Sequence, residues 1–432
     1  MEEKIKINFN NLIENLPSIE IRDEYVKERK VYLEKFIKKG FPNKRIEDWK
    51  FSDLNQIISS NIKELKFLNY ELTNIEYDKT NLIKNFEHNK IIFINGLISK
   101  IDFSYEEKSN IEVVDNLTEE NTKKISRLSV GPSEFTNNQE NSLILLNNAL
   151  KFVHIRLQVK KDYKFKKPLV VYNFTNQQLN STVINLRFDV VLKENSALKI
   201  INLFNDDSDN NIININHQFK VGKDAILKNY KIDHKENNNI KYFYNNIDLD
   251  RNSVAENFLF SIGSKFIKNE INCNLNGEYS SAFINGIMNL KNSQHHEIKT
   301  NIHHLEKNTK SYQLIKSVLN SNSKGVYQGK IFVNPRAQKT DGYQLSKALL
   351  LSENAEFDAK PELEIYADDV KCSHGSTSGN LDEDSIFYLM SRGLNYKQSK
   401  ELLINGFLMD VVEKITDLEV KNLIKKLMSV QE

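Results

Sequence analysis

A small residue recurs just ahead of an extended, apolar run at Ala197, Ala225, Ala255, Ala282, Gly325 and Ala355. The intervals are 27 to 30 residues, except for 43 between Ala282 and Gly325. A period of that length marks a stacked array, in which each unit buries its apolar face only against its neighbours. The runs themselves, such as KIIFING, LVVYNF, STVINLRFDVVL and LKIINLF, are separated by Asn, Asp, Ser and Gly, the residues of strands and tight turns. From Lys90 to about Asp369 no amphipathic helix of ten or more residues is interleaved, so a β-helix fits better than a helical or leucine-rich solenoid. A β-sandwich is the other architecture these runs permit. The long interval contains a His-rich segment and reads as an insertion.

The two ends have a different period. Between about Ser18 and Asn61, Tyr25, Tyr32, Leu33 and Phe36 fall near one helical stripe, and Gly40-Phe41-Pro42 stops it. Trp49, the only tryptophan, reads as a core anchor joining this helical segment to the rest of the chain. After Leu381 come Ile386, Phe387, Leu389 and Met390, and then a helix through Met409 opened by an Asn395/Gln398 capping box. Leu418, Val420, Leu423, Ile424 and Leu427 form a last amphipathic stretch. The expected division is an N-terminal helical region over 1–89, a β-helix core over 90–380 and a C-terminal helical domain over 381–432. The C-terminal helices are expected to cap the solenoid end, which otherwise exposes a sheet edge.

At 432 residues the chain has ample capacity for a core, and Lys+Arg 60 against Asp+Glu 58 leaves a charge of +2. That balance argues against a general nucleic-acid binder. The N-terminus has no apolar signal region, and no apolar run approaches a spanning helix of ~18 residues. A soluble cytoplasmic protein without membrane contact is the simplest expectation. The abundance of Asn reads as compositional bias. Two cysteines, Cys273 and Cys372, are too few for a disulfide framework and suit a reducing compartment.

Several segments suggest chemistry. In EIYADDVKCSHGSTSG, Cys372 and His374 are two residues apart, and in an extended chain both face one side together with Val370. A soft thiolate and an imidazole there could share a metal. His295, His296, His303 and His304 match no standard ligand spacing and read as a surface or turn cluster. Gly325-Val-Tyr-Gln-Gly329-Lys330 is one residue short of a phosphate loop and lacks the following Ser or Thr. Asp368 and Asp369 are adjacent, as are Ser373 and His374, so neither pair suits a glycosidase or a nucleophile with its base. Cys273, with no companion ligand, reads as a core thiol.

Two longer blocks carry a resemblance. The segment Asn334 to Leu394, including NPRAQKTDGYQLSKALLLSENAEFDAKPELEIYADDVKCSHG and LDEDSIFYLMSRGL, together with GFPNKRIEDWKFSDL at Gly40 to Leu54, closely resembles the SufB/SufD family of iron-sulfur cluster assembly proteins. The CSHG element is similar to the SufD branch, and Gly342 and Ser376 stand where that pattern has Ala. The resemblance implies a right-handed parallel β-helix flanked by helices, in a non-catalytic scaffold subunit. It also implies pairing with a SufB-like chain and docking of a SufC-like ATPase, for which Ile386 to Met390 and Leu402 to Met409 are the candidate surfaces. A conventional cluster needs about four protein ligands, mostly thiolates, and two distant cysteines cannot supply them. A transient cluster shared with the partner, with ligands from His374 and Cys372, is therefore the expectation, none being held stably by the isolated chain. Self-pairing into a homodimer is expected where the SufB-like chain is missing. The alternative is a purely structural adaptor that ligates nothing.

Overall fold

A computed structural model describes residues 6–7, 23–67, 81–115 and 141–429. Its centre is a parallel β-solenoid of about eight turns, each contributing one strand to each of two sheets. Coil 1 pairs Val153–Val159 with Leu169–Thr175, coil 2 Thr182–Leu192 with Ala197–Asp206, and coil 3 Ile212–Val221 with Ile226–Asp233. Coil 4 continues with Asn237–Leu249 and Val254–Ser261, and coil 5 with Ser264–Leu275 and Ser281–Leu290. Coil 6 has His295–His304 and Lys310–Leu319, coil 7 Lys324–Val333 and Asp341–Leu350, and coil 8 Glu356–Ile365 and Lys371–Gly379. The first strands form an eleven-stranded sheet with N-terminal additions, and the second strands a ten-stranded one.

The corners explain the asparagines. Between the two strands of a coil one residue takes a positive φ, at Asp162, Asn195, Asp224, Asn252, Tyr279, Asn308 and Lys339. At the corner leading to the next coil the same happens at Ser181, Asn210, Asn292 and Ser321. Asn and Asp tolerate this left-handed conformation best among residues with a side chain. Their side chains also stack from coil to coil, Asn195 donating to Asp162 at 2.8 Å and Asn252 to Asp224 at 2.9 Å. Inside, Asn202 donates to Asn229 and Asn229 to Asn257, both at 3.0 Å. The Asn content is thus structural, which composition by itself did not reveal.

The small-residue period is real, but it changes sheet. Leu227, Ala255, Ala282, Ser311, Gly342 and Cys372 are successive register partners in the second sheet. Gly325 belongs to the first sheet, paired with His296. The long interval is therefore a step from one series to the other, and the His-rich segment is coil 6 itself rather than an insertion. Nor do its histidines form a surface or turn cluster. His296 and His304 are fully buried, while His295 and His303 are partly so. Strand alternation sends neighbours to opposite faces, and the inward pair finds partners in Ser261 Oγ and Ser264 O, and in Thr309 and Ser311.

Among the flanking elements, the helix Asp23–Lys39 precedes a 3₁₀ turn at Glu47–Trp49. That turn docks on the outer face of the first sheet. Trp49 is 2% exposed, stacks on Phe266, lies against Tyr242 and receives the Lys268 ammonium over its ring at 4.5 Å. The anchor reading of Trp49 holds. A nine-residue helix, Ser142–Leu150, escapes the sequence reading because every residue is buried and no polar face sets a period.

The C-terminal helices are Glu383–Ser391, Tyr396–Val412 and Leu418–Ser429, the second opened by the expected capping box. They do not cap the solenoid end. Leu408, Val411, Val412, Ile415, Val420 and Ile424 pack on the outer side of the second sheet, against Tyr230, Phe258, Ile287 and Val318. That outward face is apolar in coils 3 to 6 and demands a cover, so the helices run along the flank and leave coil 8 open.

Candidate functional site

Coil 8 is built like its predecessors, but nothing among the described residues pairs with its far side. Strands Glu356–Ile365 and Lys371–Gly379 each have one neighbour, and no residue of either is fully buried. Such an edge presents free backbone N–H and C=O groups to another strand. Both Cys372 and His374 lie on it.

Cys372 ends the inward column of small residues. It is half-buried and, with Val370, packs against Ile331, Val333, Ala337 and Ala367. A Cβ placed on Gly342 would lie 3.5 Å from Cys372 Sγ, from His304 Nε2 and from Ser311 Oγ. These are ordinary contacts, so Ala fits there as well as Gly. Burial pushes the Cys372 thiol above its usual pKa, against the opposing effect of the Gly342 backbone N–H. The group rests as a thiol, and metal or sulfur binding must release its proton. Ser311 was not singled out by sequence and His304 was read only as part of a surface cluster, yet both face the same point above Gly342 as this thiol inside the solenoid. The signal that finds them is the second-sheet register, continued through Ser311 and Gly342.

His374 is exposed and comes after Gln313 and Gln344 in the next inward column. Gln344 is itself held, donating to Glu362 O at 3.1 Å and accepting from Tyr327 Oη at 3.3 Å. His374 therefore stands on an ordered floor with its imidazole in solvent at the open end. Ser376, next in line, accepts from Ser346 Oγ at 2.9 Å. Among the described residues no three His, Cys, Asp or Glu side chains come together as a metal-holding group.

The other candidates fall elsewhere. Gly325 to Lys330 is strand, not a loop. A Cβ on Gly329 would come 2.2 Å from Gln344 Oε1 and 2.4 Å from Tyr327 Oη, so this glycine serves close packing. Asp368 and Asp369 sit in the corner before the last strand. Cys273 is fully buried with its thiol pushed far up by burial. Of the two helical segments, Ile386 and Leu408 are core, whereas Phe387 at 73%, Tyr388, Met390 and Leu402 are exposed.

The fold is that of a parallel β-solenoid protein whose last coil is open and carries a thiol and an imidazole on its edge. The SUF system FeS cluster assembly, SufBD core domain family matches residues 173–407, more than half of the chain, and this protein belongs to the SufBD family of iron-sulfur cluster assembly proteins. Within it the chain is most like SufD. Iron-sulfur cluster assembly protein SufD of Escherichia coli strain K12 is 26% identical over 391 residues, covering 89% of this chain and 88% of that protein. SufD of Plasmodium berghei is 24% identical over 329 residues, 74% of this chain but 23% of that longer protein. A SufBD family protein of Synechocystis is 44% identical over 103 residues, 24% of this chain and 23% of that one. No helix among the described residues is long and apolar enough to cross a membrane.

Proposed function

We propose that this chain is a SufD-like, non-catalytic subunit of a cytoplasmic SUF scaffold. It pairs through the coil 8 edge with a SufB-like chain, binds a SufC-like ATPase through its C-terminal helices, and helps build or load nascent iron-sulfur clusters. The observation that carries this reading is the unpaired last strand with His374 in solvent and Cys372 behind it. Strand addition at that edge would bring a second chain's ligands to the same place, completing a set that two groups cannot complete. The cluster is cargo, and His374 offers it an accessible imidazole ligand at the open end. Cys372 is the softer ligand, but burial disfavours its ionised form. Exposed Phe387, Tyr388, Met390 and Leu402 supply an apolar contact for the ATPase.

The test is to co-purify the chain with a SufB-like partner and compare iron and sulfide with those of the chain alone. The complex is expected to carry cluster and the isolated chain little. His374→Ala should lower cluster yield without dissolving the complex. An unchanged yield in an intact complex selects the structural-adaptor reading, and a full, stable cluster on the isolated monomer refutes the shared site.

A further inference from the structure

A second site lies on the outer face of the first sheet, away from the coil 8 thiol and independent of it. A cavity of about 350 Å³ opens between the Glu47–Trp49 turn and coils 6 to 8, lined by Glu47, Asp48, Lys299, Gln328, Lys330 and Glu362 among others. Register sets its floor: Lys299, Gln328 and Lys360 are consecutive partners, as are Asn301, Lys330 and Glu362. Gln328 is 6% exposed, and its Nε2 has no hydrogen-bond partner among the described residues. A buried amide left unpaired costs stability, and among the described residues Gln328 Nε2 is the one such buried atom that lines this cavity.

The charges are layered. Lys299 and Lys360 stand deep beside Gln328, whereas Glu47, Asp48 and Glu362 sit at the rim with about half or more of each side chain exposed. Each lysine is already neutralised, Lys299 by Asp48 and Glu270, Lys360 by Glu47 and Glu362, and Lys330 by Glu364. A simple anion therefore gains little net attraction, and a simple cation meets ammonium groups on the floor. A molecule carrying both charges satisfies both layers.

We propose that this pocket binds a free α-amino acid, its carboxylate directed down to Gln328 and Lys330 and its ammonium held by the rim carboxylates. The volume lies at the low end for ligand pockets, which suits a molecule of this size. The Gln328 amide supplies a donor that currently has no acceptor.

Saturation-transfer NMR on the full-length chain tests this with each standard L-amino acid, and with propionate and ethylamine as single-charge fragments. At least one amino acid is expected to bind, with both fragments weaker by about tenfold or more. Gln328→Leu should lose that binding while melting no lower than the parent, because it removes an unpaired amide. Lys330→Gln, on a partly exposed side chain, should weaken binding similarly and carries the test independently of Gln328. Absence of transfer from every amino acid, binding unchanged by both variants, or propionate binding as well as the best amino acid would each overturn the assignment.

Discussion

Cys372 and His374 were legible as a pair from their spacing, but their difference was not. The period-2 rule places both on the inward side, and the structure agrees. What spacing could not show is that no ninth coil covers coil 8 among the described residues, so the same inward direction means half-burial for one residue and solvent for the other. The thiol consequence is measurable. With its pKa raised by burial, Cys372 should react with iodoacetamide more slowly than free cysteine at the same pH. Its rate should still climb at pH values where that of free cysteine has levelled off. Mass spectrometry of the alkylated chain checks this, with Cys273 expected to stay unmodified until the protein unfolds.

At the scale of elements, strands were readable because they are bounded by turn residues, and helices because they carry a stripe. Where both signals fail, as in Ser142–Leu150, with no exposed face, sequence was silent. The repeat was visible but misphased, since small residues occupy inward positions in both sheets and their spacing alone does not say which sheet each belongs to. The Trp49 turn is the element on which the N-terminal region depends. Besides the ring contacts, Asp48 pairs with Lys299, and Ser52 donates to Glu297, which also holds Lys268. Trp49→Ala should cost about 3–5 kcal/mol, as other buried large-to-small changes do, read as a fall in the urea midpoint. Trp49→Phe, which keeps a ring for Lys268 to cover, should recover much of the loss.

For the whole molecule, acid is the weak point. Burial holds His154 and His296 down to about 4, and His217 and His304 to about 3. An unfolded His titrates near 6.5, so each of these groups favours the folded state fully above that value. The advantage is lost as the pH falls from about 6.5 through the folded values. At a pH one unit below the unfolded value each contributes about 1.4 kcal/mol of destabilisation. Urea melts at pH 7.5 and 5.5 should differ by several kcal/mol, and replacing His304 with Gln should flatten part of that slope.

The placement of the C-terminal helices along the flank has a consequence for timing. Thr416 bonds to Glu256 across 160 positions of chain, and Tyr230 and Phe258 wait for a cover that is synthesised well after them. A growing chain can stack each coil on the one before it, since every new strand finds a finished edge, but it emerges with a greasy flank until Leu408 to Ile424 arrive. The edge that carries His374 is completed only a few dozen residues earlier. On the ribosome, then, the segment that covers the apolar flank comes closely after the one that ends in an open strand edge, and a chain cut short after coil 8 would have the second without the first.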